Sequence, residues 1–307
     1  MMRGRRSWGL AVRRPSGGIA RVAYPLSPPG GNHRLLRLPV VRGVVSLYES
    51  LSLGIKALGI SASIGLEDPA PAGDAAGGAA GETLSDVPEP PSFGWKELAV
   101  TVGVAGGMAV ALFVVVPLVV VKHFESAFAN PFVFNLVEGL IRIVIFLLYI
   151  VGISLIPDLR RVFQYHGAEH KVIHAYESCG RADPEHAGGQ STLHPRCGTG
   201  FLVLVMVIAV LLFAIVGKPS LPWLVLSRIV GIPLIVGISY EIGIRWAGRH
   251  PNGFFARILL WPGMQLQRLT TREPTPEQLE VAAAALEEVM RMDETEQMAL
   301  EGLAAEA

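Results

Sequence analysis

The sequence is poor in charged residues, which make up 17% of its 307 positions, against about 25% in an ordinary soluble protein. The formal net charge is zero, so bulk electrostatics give no support for a nucleic-acid partner. Only two cysteines occur, which excludes a disulfide framework, and neither a phosphate-binding loop nor a nucleophile elbow is evident. Hydrophobic residues reach 51%, and the composition is therefore that of a membrane protein.

Long apolar runs supply the membrane anchors. Four of them approach or exceed the roughly 20 residues that a bilayer crossing needs. None has the flanks of a cleaved signal peptide, so we expect all four to remain in the mature protein. The sequence thus predicts an all-α polytopic membrane protein with four transmembrane helices, at Leu98–Val121, Pro131–Ile156, Thr199–Val216 and Leu221–Ile244.

The positive charges indicate the orientation of these spans. Arg and Lys accumulate before the first span, between the second and third, and after the fourth, whereas the other two connections carry one Lys each, Lys122 and Lys218. Because Lys and Arg favour the cytoplasmic side, we expect both termini and the second connection in the cytoplasm, and the chain in the cytoplasmic (inner) membrane. The expected partners are membrane lipids and, where the polar surfaces dock, a membrane protein.

The whole chain divides into five predicted parts. Alternation of strand-forming residues predicts a small cytoplasmic β element over 1–41, with two strands around a Gly/Pro turn. The segment 42–65 has a helical pattern that predicts an interfacial or re-entrant helix, with a fifth membrane segment as the alternative. Residues 66–93 read as a flexible acidic linker. The four-helix membrane domain covers 94–275, with a cytoplasmic His/Cys loop at 157–198, and a C-terminal cytoplasmic amphipathic helix covers 276–307.

The loop between the second and third spans opens with the run His-Gly-Ala-Glu-His-Lys-Val-Ile-His at 166–174. In a helix its three histidines, His166, His170 and His174, would share one face, with Glu169 on the flank. The pattern His-x-x-Glu-His is also that of the inverzincin metalloproteases. His194 and Cys197 close the same loop, and its two tethered ends can bring them back to the His170 helix.

These residues predict a site for a divalent metal, for which zinc suits the imidazole and thiolate donors best. The candidate ligand set is His170 with His166 or His174, completed by His194 or Cys197. Three protein ligands would indicate a catalytic site and four a structural one. Glu169 or Glu177 would be the catalytic carboxylate that takes a proton from water.

A second polar feature lies inside the predicted spans. Glu138 and Arg142 stand one helical turn apart in the second span, and Arg228 occupies the fourth. Counted from the outer ends of the helices, Glu138 and Arg228 both lie about 10 Å deep, with Arg142 slightly deeper. Ionisable groups at that depth normally pair and face the bundle interior. The layer is therefore either a structural ion-paired clamp or a polar cavity for an anionic guest.

Four motifs stand out along the chain, at 166–171, 191–199, 246–249 and 267–274. Together they resemble the motifs of the YqhQ-like family of bacterial membrane proteins, and the resemblance implies a metal-dependent enzyme in the membrane. Two departures accompany it. Members usually carry a further Gly-rich stretch before the motif matched by Met1–Gly4, so the natural start is expected upstream, with a strand missing from the β element. Gly200 stands where Ser is usual, which argues against a nucleophile there.

Two functions follow from these observations. The favoured hypothesis is a metal-dependent hydrolase whose site lies at the cytoplasmic membrane face and whose substrate is a lipid, a lipid-linked molecule or a membrane peptide. The alternative is a non-catalytic membrane factor, acting in transport or in membrane-protein insertion or assembly, with a structural metal or none.

Overall fold

The computed structural model describes residues 1–26, 34–66, 95–124, 130–217 and 221–305. Within them the chain is largely helical, with one small antiparallel sheet. The segment predicted as an acidic linker lies, apart from residue 66, outside the described residues. The strands are β1 Met2–Arg3, β2 Ser7–Arg13 and β3 Ile19–Pro25, and the helices are α1 Val41–Leu66, α2 Trp95–Val110, α3 Val116–His123, α4 Pro131–Ser154, α5 Pro157–Cys179, α6 Pro184–Gly188, α7 Gly198–Val216, α8 Leu221–Ser239, α9 Phe254–Thr270 and α10 Pro276–Ala305.

Five helical stretches among the described residues are long and apolar enough to cross a membrane. This is the pattern of a multi-pass membrane protein. Four of the five overlap the predicted spans; α2 and α3 form one of them through a π-helical turn, and α8 continues through a π-helical segment, Tyr240–Trp246. The stretches are Val41–Gly65, Ala99–His123, Pro131–Ser154, Gly198–Val216 and Ile229–Arg249.

The fifth stretch is α1, a single unbroken helix of 26 residues with two different faces. One face is buried against the sheet, where Leu53, Ala57 and Ile60 pack on strand residues that include Trp8. The opposite face is apolar and exposed. An unbroken helix with these two faces can serve as an interfacial helix or as a span. Both are among the three alternatives that the sequence left open, and the third was a re-entrant helix. The exposed face consists of Tyr48, Leu51, Ile55 and Leu58.

The sheet confirms the predicted hairpin and adds a strand. β2 and β3 pair antiparallel from Ser7 opposite Pro25 to Arg13 opposite Ile19. Gly17 has a φ of 96°, which a glycine adopts without strain, and it closes the connection. The additional strand is β1, two residues long, which pairs with the other edge of β2.

The C-terminal helix α10 packs on the sheet and on α5, and this joins the two ends of the chain. Small residues make the contact close: Ala168 and Ala175 of α5 are fully buried beside Ala283 of α10. Burial of Val172 in this cluster contributes on the order of 1.5 kcal/mol. The predicted C-terminal helix is thus confirmed, and its apolar face is covered by the chain itself.

Helix α9 crosses the beginning of α7 at very short range. A Cβ on Gly263 would lie 2.7 Å from the Cα of Gly200, so the crossing requires glycine at this point. This packing brings the C-terminal end of α9 next to the residues that precede α7. It is the contact that gathers the candidate site.

Candidate metal site

Helix α5 positions all three histidines of the 166–174 run. It begins at Pro157, a residue favoured in the first turn, and ends at Gly180, which caps it with a φ of 70°. The face with Ala168 and Val172 packs towards α10. The histidine face is therefore turned to the segment 191–199 and to the end of α9.

Two groups of three possible ligands occur in the part of the chain that the structure describes. In each group the ligand atoms lie within 4.8 Å of one another. Of the ligand sets that the sequence left open, the structure brings together His170, His166 and Cys197. The first group is His166, His170 and Cys197, and the second is His174, Glu177 and His194.

In the first group backbone carbonyls engage the Nδ1 of both imidazoles, and His166 presents its Nε2 to the thiol. His166 Nδ1 lies 2.8 Å from the carbonyl oxygen of Thr270, and His170 Nδ1 lies 2.5 Å from that of Thr192. A carbonyl oxygen can only accept, so each Nδ1 carries a proton, and in the neutral ring each Nε2 keeps its lone pair. Metal-bound histidines are held in this way in proteins. The Nε2 of His166 is 3.3 Å from the Sγ of Cys197.

Cys197 occupies a position that favours the thiolate. Burial raises the pKa of its thiol, but in the absence of metal hydrogen bonds from His166 and His170 outweigh burial and lower the pKa to about 5. A ring that donates to the thiolate carries a second proton, which a metal ion would replace. Burial also lowers the pKa of His166, and its hydrogen bond to Cys197 outweighs that effect and raises it. Cys197 is the N-cap of α7, where the helix dipole stabilises a negative charge further. A soft anionic donor thus faces two imidazoles.

The second group is held together by hydrogen bonds. The backbone N–H of Arg196 donates to His194 Nδ1 at 3.3 Å, so His194 carries its proton on Nε2, which lies 3.4 Å from Glu177 Oε2. The Arg196 guanidinium pairs with the other oxygen of Glu177 at 2.5 Å. Burial lowers the pKa of His194 to about 4, so the ring is neutral at physiological pH. With this tautomer His194 is a donor to Glu177, and the first group offers the better ligand set.

The two groups are neighbours. The ring of His194 stands 4.8 Å from that of His174 and 5.8 Å from that of His170, measured between centroids. His174 Nε2 lies 2.8 Å from the carbonyl oxygen of Leu193. His194 therefore connects the first group to the Glu177 carboxylate.

The two predicted catalytic carboxylates are placed differently. Glu177 belongs to the second group, as described. Glu169 Oε1 accepts a hydrogen bond from the Met1 amino group at 2.7 Å, and Glu169 belongs to neither group. Of the two, Glu177 is the carboxylate in contact with the candidate ligands, through His194.

Gln267 holds the ligand segment in place, and sequence reasoning missed it. Its side chain is fully buried; Oε1 accepts from the backbone N–H of His194 at 2.8 Å, and Nε2 donates to the His194 carbonyl at 2.9 Å. Both polar groups of the amide are satisfied by one residue of the segment. In the sequence, the 267–274 motif was noted only for its resemblance to the family. In the structure its residues 267–270 supply Gln267 and also the Thr270 carbonyl that orients His166.

Gly167 lies where the segment after α9 crosses α5, and this crossing requires a small residue after His166. At the crossing the Arg272 N–H donates to the Phe163 carbonyl at 2.9 Å. A Cβ on Gly167 would lie 2.1 Å from the Arg272 oxygen. The crossing also puts Glu273 against Lys171, whose Nζ is paired with that carboxylate and donates to the Gly188 carbonyl. The run 166–174 thus contains residues that the crossing requires as well as the candidate ligands.

The intramembrane layer is partly present. Arg142 and Glu138 form an ion pair one turn apart in α4, and both side chains are largely buried. The Nε of Arg142 is buried without a hydrogen-bond partner among the described residues. Arg228 lies in α8, and its side chain is outside the described residues. Glu138 and Arg142 thus pair with each other, and the role of the layer as a clamp or as a cavity stays a prediction.

The lowered thiol pKa makes a direct prediction. In metal-free Cys179→Ser protein, whose single thiol is Cys197, we expect the ultraviolet thiolate absorbance to be lost with a midpoint near pH 5 as the pH falls. An ordinary thiol would lose it near pH 8.5. Folding favours the thiolate of Cys197. Its contribution to the free energy of unfolding is therefore full above the ordinary thiol pKa of about 8.5 and is lost as the pH falls through the midpoint near 5. Removing the imidazole in His166→Ala should move the midpoint upward, and a midpoint near 8.5 in the Cys179→Ser protein would contradict the hydrogen bonds from the two imidazoles to Cys197.

Comparisons with known proteins place the chain in a family. No solved structure matches it. It is 31% identical over 297 residues to the Uncharacterized protein YqhQ of Bacillus subtilis (strain 168), an alignment that covers 95% of this chain and 90% of the relative. The model of a family described as "Protein of unknown function (DUF1385)" matches residues 38–292. The resemblance read from the motifs is thus confirmed, and the chain belongs to the DUF1385 family, with YqhQ as a relative.

Proposed function

We propose that this protein is a zinc-dependent hydrolase of the bacterial cytoplasmic membrane, with its site at the cytoplasmic face. The observation that carries the proposal is the first group, in which the carbonyls of Thr270 and Thr192 engage both Nδ1 atoms, and the Nε2 of His166 faces Cys197. The ligand atoms of all three residues lie within 4.8 Å of one another. Three protein ligands leave a fourth position for water or substrate, as in catalytic zinc sites.

All three residues fit zinc by donor type, and one pair fits it by a measured distance. Tetrahedral zinc with Zn–N and Zn–S bonds of about 2.0 and 2.3 Å holds its ligand atoms about 3.3–3.6 Å apart. The Nε2 of His166 and the Sγ of Cys197 are separated by 3.3 Å. When bound, zinc would supply the Lewis acid for hydrolysis.

His194 and Glu177 are suited to carry the proton away from the site. The His194 ring faces His170, while its Nε2 proton is directed at Glu177 Oε2. A neutral imidazole can accept a proton at Nδ1 once the ring shifts from the Arg196 N–H, and release the Nε2 proton to the carboxylate. Glu177 is partly exposed and can pass the proton to solvent.

The orientation is supported by the contact between the two ends of the chain. Strands β2 and β3 pack on α10, so the N-terminal sheet and the C-terminal helix must lie on the same side of the membrane. That requires an even number of crossings between them, and α1 is the candidate span whose buried face covers the sheet. We therefore infer four spans, an interfacial α1 and, from the distribution of Lys and Arg, a cytoplasmic site.

The first test is the metal itself. The full chain, purified in detergent from zinc-replete cells, is expected to contain about one zinc per chain by elemental analysis. Zinc should protect Cys197 from alkylation, and a chelator should remove that protection. Cys179 is exposed, so its alkylation serves as the internal control and should not change. Protein with no stoichiometric metal would refute the proposal.

A non-catalytic membrane factor is the second candidate. The observation that favours it is the Arg142–Glu138 pair in α4, because charges in a span often mark a path or a binding site. A loss of function in Arg142→Ala with full function in His170→Ala would favour this candidate over the hydrolase.

A further inference from the structure

Helix α9 has two sides of opposite character. One side packs on α7 through Gly263. The other carries four large apolar side chains that are 58–73% exposed, and three of them are aromatic. Because a helix turns by about 100° per residue, these four positions fall within a sector of about 120° and form one face. The exposed residues are Phe254, Phe255, Ile258 and Trp261.

Two contacts hold α9 at the level where membrane-spanning helices end. The candidate span Ile229–Arg249 ends just before Phe254, and backbone hydrogen bonds fold the residues between them into turns. Further along α9, Gly263 meets Gly200 near the beginning of the candidate span Gly198–Val216. These two spans follow one another and run in opposite directions. The end of the one and the beginning of the other therefore lie on the same side of the membrane.

The two contacts orient α9 along the membrane surface. About 14 Å of helix separates Phe254 from Gly263. A helix perpendicular to the membrane could not keep both residues beside the ends of spans. Helix α9 therefore lies in the plane of the interface, where aromatic side chains favour contact with lipid.

The charges around α9 indicate which lipid surface suits it. Between Glu241 and Glu273 the sequence has five arginines and no acidic residue. Arg257 and Arg268 of α9 are exposed, and by the same rotation they lie about 20° apart, along one edge of the apolar face. An arginine at such an edge can bind a lipid phosphate while its methylene groups stay on apolar surface. A second copy of the chain would bring the same positive charge to this face and be repelled.

We infer that α9 binds an anionic lipid surface, with its aromatic face among the acyl chains and with Arg257 and Arg268 on headgroup phosphates. This binding does not depend on zinc and goes beyond the proposed hydrolase. The opposite side of the helix carries Gln267 and Thr270, which hold two of the candidate site's histidines. The helix that contacts lipid is thus also the helix that arranges the candidate ligands.

The test places a photoactivatable phenylalanine analogue at Phe255 of the full chain, reconstituted in vesicles of equal parts phosphatidylcholine and phosphatidylglycerol. Lipid adducts are identified by mass spectrometry. Among them we expect phosphatidylglycerol to exceed phosphatidylcholine at least about threefold, because the arginines attract anionic headgroups. The same analogue at Tyr176, an exposed aromatic position near the end of α5, should give less than about a fifth of the lipid adducts.

Two double variants separate the arginines of α9 from positive charge in general. In Arg257→Gln/Arg268→Gln protein the excess of phosphatidylglycerol should fall below about 1.5-fold, while the total yield of lipid adducts is kept by the apolar face. The matched control, Arg5→Gln/Arg181→Gln, removes two exposed arginines outside α9 and should keep the full excess. Circular dichroism checks that both variants are folded.

Three results would overturn the inference. The first is an adduct of Phe255 with a second copy of the chain in place of lipid. The second is equal lipid labelling at Phe255 and Tyr176, since lipid would then show no preference for α9. The third is the same excess of phosphatidylglycerol in both double variants.

Discussion

His170→Ala protein is expected to retain less than about a tenth of the parent's zinc and no hydrolase activity. The substitution removes one of the three donors of the first group, and the two donors that remain are too few to hold zinc. Bound zinc is measured by elemental analysis after gel filtration, with the fold checked by circular dichroism.

His174→Ala is the matched control for this prediction. His174 lies one turn further along the same helix and contributes to the second group, with its Nε2 near the Leu193 carbonyl. We expect this variant to keep about one zinc per chain. Equal loss of zinc from both variants would mean that the ion is bound across the two groups, contrary to the ligand set proposed here.

Gly167→Ala should be the most damaging conservative substitution at the site. The added Cβ would lie 2.1 Å from the Arg272 carbonyl oxygen, and both atoms belong to packed backbone. We expect a loss of about 3 kcal/mol in the free energy of unfolding, because neither segment can move away cheaply. The shift would also carry Thr270 away from His166 and weaken zinc binding.

Thermal unfolding in detergent, with and without a chelator, measures the two effects of Gly167→Ala separately. Gly54→Ala is the control, since a Cβ there meets nothing within 4 Å and alanine is the better helix former. Its melting temperature should equal or exceed the parent's. A Gly167→Ala protein that melts within about a degree of the parent would disprove the close crossing.

Much of the scaffold could be predicted because it depends on local pattern. The four long apolar runs, the hairpin of β2 and β3, and the helix after Pro276 all follow from periodicity and turn residues. The short strand β1 could not be predicted in this way. It is two residues long, and its pairing depends on β2 already being in place.

The candidate ligands could be collected from sequence, but their grouping could not. His166 and His174 flank His170 equally along the helix, and only the position of α9 distinguishes them. The Thr270 carbonyl that fixes the His166 ring comes from more than one hundred residues away. Gln267 was missed for the same reason, because an amide that binds backbone has no spacing that marks it in sequence.

The packing of the N-terminal sheet on α10 constrains the order of events during synthesis. Strands β2 and β3 leave the ribosome long before α10, which covers one side of the hairpin. The partners that orient His166 and His194, at 267–270, are also made after every candidate span among the described residues. A nascent chain released before these residues would hold its spans in the bilayer but would leave His166 and His194 without the contacts that orient them.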